Sequence, residues 1–369
     1  MKKALTTPSS RAQLDKIFVL GSLFGASTWF CCLFLTAFVF WLIVFVKKKR
    51  IHYVEIHEKD WCPEFIRMCT QMALHSGWIT FGLDWIVGSA ARTVSEVIIR
   101  EIVSKVRSDK GSIENVDKNV NAQKVVFIDL CSGGGGPTPF IHHLLRTEHL
   151  VEVETYLSDL HPQVKQWKYL CVHNDHLKYV EKSMNALSID MASVLDSKDS
   201  VVVRSMYASF HHFLPLQVIH LLSDCIVNGH ALIVVEPLIK RDHVLDFLQF
   251  PFMMILQSPL YLFWIIRHYL FAPDYSIFEK FTKIFLSIVG LPLWLATLIH
   301  DGVVSCARTY THAEMLELTK LAEVDASKKQ KLPYSYQWKA WTENAHLPFL
   351  AKALFPMTFL VGMPVPLKN

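Results

Sequence analysis

Glycine is scarce in this chain. Its 369 residues hold only 14, and four of those stand side by side at Gly133 to Gly136. Charge imbalance is lacking too. A formal net charge of +4 gives no electrostatic footprint for a nucleic-acid partner. The eight cysteines, at 31, 32, 62, 69, 131, 171, 225 and 306, include no CxxC pair and no Cys/His grouping with zinc-like spacing. They read as small buried hydrophobes of a reduced compartment, and no metal site is expected.

From Ile17 to Val46 charge is absent altogether. A membrane span needs about 20 apolar residues, so this run is long enough to cross. The apolar core of a cleaved signal peptide is shorter, ~7–15 residues. A dense basic stop, Lys47-Lys48-Lys49-Arg50, follows the run, whereas the flank before it, with Lys2, Lys3, Arg11 and Lys16, is diluted by Asp15. The denser cluster favours a cytoplasmic position for everything after the span. The expectation is a tail at 1–16, a transmembrane helix at 17–46 and a single-pass membrane protein.

Residues 51–106 read as a helical cap segment, rich in tryptophan and apolar side chains with helical spacing. The polar stretch 107–123 reads as a linker. From residue 124 strands and helices alternate, which implies a mostly parallel sheet covered on both faces. Strands are expected at 124–130, 152–158, in "KYVEKSM" (178–184), at 200–207 and at 230–237, with two more in "YSYQWKAWTE" and "FPMTFLVGM". Pro162 is placed to open a helix, Gly229 to cap "PLQVIHLLSDCIV", and Thr311 with Glu314 to form a capping box. An apolar insertion at 242–300 interrupts the pattern after the fifth strand. Its uncharged runs, 247–266 and 284–299, suit either two spans or a helical pair lying at a membrane interface.

The glycine cluster follows the first strand and precedes a helix, a geometry that lets a ligand approach the backbone. The dinucleotide fingerprint GxGxxG fails here. Its third glycine would fall on Thr138 or on Pro139. The pattern instead begins with an acid, Asp129-Leu130-Cys131-Ser132-Gly133-Gly134-Gly135. A carboxylate at that point suits S-adenosylmethionine, which carries a positive sulfonium and ammonium. Asp129, Cys131, Gly133 and Gly135 are the expected contacts to the cofactor. Asp159, at the end of the second strand, is placed to accept from ribose hydroxyls. Asp190 is placed for the adenine amine, and Met191 to pack on the ring.

With these motifs the chain resembles the class I S-adenosylmethionine-dependent methyltransferases. It is similar to a subgroup marked by DLCSGGGGP (129–137 here), SDLHP (158–162), SFHHF (209–213), DGVVSCARTYT (301–311) and TFLVGMP (358–364). His161 stands where that subgroup usually has tyrosine. The resemblance spans about residues 53–364. It implies a Rossmann-like α/β fold with a seven-stranded sheet over 124–364, to which the N-terminal helix and the apolar insertion are added.

The resemblance also implies that "YASFHHF" lies where the methyl group is transferred. His211 is the candidate general base; Tyr207, His212 and Glu236 are candidate contacts to the acceptor. The D/N-P-P-Y/F signature of amine-directed nucleobase enzymes is absent. Arg308 and Tyr310 read as packing and capping residues. The apolar cap points to a small-molecule or lipid acceptor taken from the membrane. Two other readings stay open: a non-catalytic membrane module that keeps the cofactor turn, and a nicotinamide-dependent oxidoreductase.

Overall fold

The computed structural model describes residues 50–78, 89–108, 124–172, 174–189, 194, 200–237, 244–272, 274–345 and 356–367. The expected transmembrane helix at 17–46 lies outside these residues, as do Asp190 and Met191. The chain forms two compact units, Met1–Gly77 with Ile239–Arg308, and Trp78–Leu238 with Thr309–Asn369. The stretch read as one helical segment, 51–106, is thus divided at Gly77.

In chain order, α1 (Glu64–Ser76) precedes α2 (Ala90–Ile98), which continues through a π turn (Ile99–Val103) into a last turn (Ser104–Ser108). Then come β1 (Val125–Leu130), α3 (Thr138–Thr147), β2 (Val153–Ser158), α4 (Val164–Val172), β3 (Leu177–Tyr179) and β4 (Val201–Tyr207). A 3-10 turn (Phe210–His212) leads to α5 (Pro215–Val227) and β5 (Ala231–Glu236). The insertion holds α6 (Val244–Phe271), α7 (Ile277–Val289) and α8 (Leu291–Arg308), and the chain closes with α9 (His312–Lys329), β6 (Tyr334–Asn344) and β7 (Pro356–Pro366).

The sheet has the order β3-β2-β1-β4-β5-β7-β6. β1 to β5 are parallel, and β7 is antiparallel to both β5 and β6. β1 and β5 are buried along their whole length, as their apolar runs Val125–Ile128 and Ala231–Val235 require, and each carries one acid, Asp129 and Glu236, at its carboxyl end. Residue parity decides the face. Phe127, Val203, Ile233, Val235 and Phe359 pack with α2 and α3 residues on one side. Ile128, Val202, Met206, Val234 and Leu360 pack with α5 and α9 on the other. Gly362 of β7 accommodates the Trp338 ring, where a Cβ would fall 2.1 Å from Cζ3.

Several expected details differ. The helix after β2 opens at Val164 rather than Pro162. The third strand is only Leu177–Tyr179, pairing with Thr155 to Leu157, because the chain then turns away and Met184 N–H donates to the Asp159 carbonyl. α5 carries Pro215 at its start and Gly229 at φ 68 just past its end, and the Thr311/Glu314 capping box forms.

The other unit has its own core, built from Phe65, Met72, Tyr261, Ile265, Trp294 and Ile299 among others. The insertion gives three helices instead of a pair. The apolar run 284–299 breaks at Gly290, which sits so close to α1 that a Cβ would meet Phe65 Cε2 at 2.6 Å. Among the described residues no single helix is long and apolar enough to cross a membrane. The pair α7 and α8, bent by 67°, passes by length and composition, yet α8 is buried along almost its whole length and is the core helix of its unit.

Candidate functional site

β1 and β4 are neighbours whose outward connections run in opposite directions, to β2 on one side and β5 on the other. A crevice opens at such a switch point beyond the carboxyl ends of the strands. Two non-glycine residues with left-handed backbone mark the two strand ends, Cys131 at φ 64 after β1 and Ala208 at φ 51 after β4. Each costs on the order of 1–2 kcal/mol, and such strain gathers at functional sites.

Asp129 is the penultimate residue of β1 and is 1% exposed. Its Oδ2 accepts from Thr138 Oγ1 at 2.5 Å and from Ser132 Oγ at 2.9 Å. Its Oδ1 is buried and has no hydrogen-bond partner among the described residues. Burial lifts its pKa from 3.8 to about 8; the Thr138 and Ser132 hydrogen bonds oppose the rise, and the Asp159 charge adds to it. An acid held in this way binds a proton or awaits a cation. Neither Ser132 nor Thr138 was singled out in the sequence. Ser132 belongs to the DLCSGGGGP motif and Thr138 follows it directly, but only the turn brings both hydroxyls to one oxygen.

The turn itself is braced from behind. Trp167 Nε1 donates to the Gly133 carbonyl at 3.0 Å and Gln166 Nε2 to the Gly134 carbonyl at 2.8 Å, both from α4. Gly133 has φ +49, and a Cβ there would meet nothing within 4 Å. Gly135, at φ +107, is required for packing instead, since a Cβ would fall 2.5 Å from Leu170 Cδ1. Asp159 closes the turn. Its Oδ2 accepts from Gly133 N–H at 2.8 Å and its Oδ1 from His161 N–H at 2.8 Å. Each oxygen keeps a second lone pair for a hydroxyl.

At the end of β4, Tyr207 is buried and meets Trp78 edge-on at 6.1 Å. His211 and Glu236 form a buried pair, with His211 Nδ1 2.7 Å from Glu236 Oε2. Glu236 Oε1 also accepts from Phe210 N–H at 2.7 Å and from His211 N–H at 3.2 Å. Glu236 therefore holds the 3-10 turn and orients the imidazole; the structure shows it fully buried, its carboxylate spent on this segment. The carboxylate fixes the proton on Nδ1, so the basic lone pair of a neutral His211 is on Nε2. His212 is half-buried with its ring 4.2 Å from that of His211. Tyr310 donates to the Phe213 carbonyl at 2.7 Å and packs on Phe210, pinning the other end of the turn.

In the other unit, Glu55, His57 and Asp301 are close enough to share a metal ion. Their oxygens are already committed. Asp301 accepts from Ile56 and His57 N–H and engages the rings of His57 at 2.7 Å and His300 at 2.9 Å. Glu55 takes Ser305 Oγ and the buried Arg308 guanidinium, which also reaches Glu58. This is a latch between the extended segment before α1 and the end of α8. Burial opposes protonation of His57, but its hydrogen bond to Asp301 and the charges of Glu55, Asp301 and Glu58 hold its pKa above 6.5.

No protein-family model and no curated protein sequence matches the chain. Among solved structures it is similar to the CurJ carbon methyltransferase, at 12% identity and TM-score 0.37, over 82% of this chain and 68% of that one. It is similar to the DszA carbon methyltransferase at 10% identity and TM-score 0.36, over 81% of this chain and 65% of that one. It is also similar to a Zn-dependent alcohol dehydrogenase from Rhodobacter sphaeroides, at 8% identity and TM-score 0.36, over 80% and 98%. The chain thus spans about two thirds of the length of the two methyltransferases. Likeness at this level says nothing of chemistry.

Proposed function

We propose that the chain is an S-adenosylmethionine-dependent methyltransferase of class I. The carrying observation is the Asp129 carboxyl, buried under the glycine turn at the switch point with one oxygen left without a partner. A cationic nucleoside fits it: the sulfonium and ammonium would supply the missing positive charge. A dinucleotide fits poorly. Its pyrophosphate would have to lie on a turn flanked by Asp129 and Asp159, without the three-glycine fingerprint. The strand order also departs from the 3-2-1-4-5-6 order of dinucleotide folds, because β7 is inserted antiparallel between β5 and β6.

When bound, the cofactor supplies an activated methyl group. The residues of this chain do the rest. Asp129 balances positive charge, the open side of Gly133 lets the ligand lie against the backbone, and Asp159 accepts from hydroxyls. His211, aimed by Glu236, takes the acceptor's proton on Nε2, and positioning supplies much of the remaining rate. The acceptor is a small lipophilic molecule, and the chain is held in a membrane through residues 17–46, with the two units on the cytoplasmic side. This part of the reading rests on the uncharged run, its basic stop and the apolar insertion.

Membranes bearing the protein are incubated with labelled methyl donor, and lipid, protein and small-molecule fractions are separated. Label in the lipid or small-molecule fraction, lost in Asp129→Asn, is expected. Label confined to protein would overturn the acceptor class. Failure of the purified, folded protein to take up the cofactor at millimolar concentration would overturn the enzyme.

A further inference from the structure

α7 presents an apolar face to solvent. Ile277, Phe278, Phe281, Phe285 and Ile288 are 74%, 80%, 69%, 58% and 49% exposed. At about 100° per residue they fall within one arc roughly 100° wide. Together they offer on the order of 600 Å² of apolar surface. Leu270 and Phe271, half to two-thirds exposed at the end of α6, continue it through the short connection to α7. A patch of this size on one helix marks an interaction surface.

The face is fixed outward. Ser276 and Glu279 form a capping box at the start of α7. On the opposite side of the helix, Lys280 Nζ donates to the Leu270 carbonyl at 3.0 Å, and Lys283 lies over the rings of Tyr269 and Tyr275. Gly290 locks the far end against Phe65. The helix cannot roll to bury its phenylalanines without breaking these contacts.

We infer that this face lies in the surface of a lipid bilayer. The chain before the described residues chooses this occupant. The uncharged run Ile17–Val46 would be about 45 Å long as a helix, more than the ~30 Å hydrocarbon thickness. It ends at Val46, four residues before Arg50, whose Nε donates to the Arg308 carbonyl at 2.5 Å, and Ile51 N–H donates to Ala307 at 3.1 Å. The apolar run is therefore tied by a three-lysine link to the unit that carries α7. A helix with so continuous an exposed phenylalanine face, in a unit joined through Lys47-Lys48-Lys49 to the apolar run, matches the interfacial kind, whose apolar face sits at the boundary of headgroups and acyl chains. The inference rests on the membrane reading of 17–46 and is independent of methyl transfer.

The full chain is placed in phosphatidylcholine vesicles containing a minor fraction of phosphatidylserine. The photoreactive analogue p-benzoylphenylalanine is introduced singly at Phe281, Phe285, Phe38 and Leu216. Leu216, exposed on α5, is the aqueous control. After illumination, mass spectrometry of the digested protein should find lipid adducts at positions 281, 285 and 38, and none at 216. Adducts at 38 but not at 281 or 285 overturn the docking face alone. Adducts from 281 to peptides of residues 17–46, or to a second copy of the chain, overturn it in favour of those occupants. Absence of lipid adducts at 38 overturns the anchor and the docking face together.

Discussion

Occupation of the Asp129 site should expel a proton. In the ligand-free protein its pKa of about 8 leaves the carboxyl ~90% protonated at pH 7. A cation bound against it requires the ionised form. Calorimetric titration with S-adenosylmethionine at pH 7, repeated in buffers of different ionisation enthalpy, should therefore report release of ~0.9 proton per site. Affinity should weaken about 25-fold between pH 7.5 and pH 6, the ratio of the ionised fractions for a group titrating near 8. Asp129→Asn should bind weakly, release no proton and lose the pH dependence over that range. The same shift sets a stability effect. The folded pKa lies above the unfolded value of 3.8, so folding favours the protonated acid. The penalty is absent below pH 3.8 and grows as pH rises towards 8, reaching on the order of 4 kcal/mol at pH 7. Asn escapes it, so the variant should gain melting temperature relative to the native chain at pH 8 and lose that advantage near pH 4. Binding that releases no proton and is equally tight at pH 6 and pH 7.5 would refute the placement of charge against Asp129.

Gly133→Ala should cost only about 1 kcal/mol in denaturant unfolding, because its φ is left-handed but no atom is near, while cofactor binding is lost to the methyl on the open side. Gly362→Ala should unfold the sheet unit more readily, by about 3 kcal/mol in the same assay, since its Cβ would fall 2.1 Å from Trp338 Cζ3 and the ring would have to move. Glu236→Gln should lower kcat about 10²-fold with little change in cofactor affinity, and Glu236→Gln combined with His211→Gln should add little to the single changes. The His57–Asp301 latch should hold in mid-range pH. Its His57 contribution is full below pH 6.5 and fades as pH rises through the raised folded value. Its Asp301 contribution is full above 3.8 and fades as pH falls through the lowered one. Hydrogen exchange at residues 51–58 should quicken at both extremes, and His57→Gln should flatten the alkaline rise.

The strands β1 and β5 were legible in the sequence through the apolar runs Val125–Ile128 and Ala231–Val235, because a strand buried on both faces needs such a run and little else; β4 showed only its first half, since Arg204 and Ser205 interrupt it. β3 was expected too long and too late, at 178–184 against Leu177–Tyr179, because an edge strand of three residues leaves little pattern. The three helices of the insertion were blurred into two, since apolar composition alone does not reveal that Gly290 must break to admit Phe65. Among the site residues, the acid and the glycines announced themselves by local spacing. Glu236 did not show its part. It lies 25 residues from His211, and only the adjacency of β4 and β5 sets the two together.

The amino-acid order alone determined the alternation of strands and helices, the glycine bend with its acid, and the apolar insertion, because backbone conformation and burial leave short-range marks. The tertiary structure decided the antiparallel return of β7, the pairing of His211 with Glu236, the orphaned oxygen of Asp129 and the outward face of α7. Each of these depends on which distant segments meet, and that is fixed by packing rather than by any neighbouring residue.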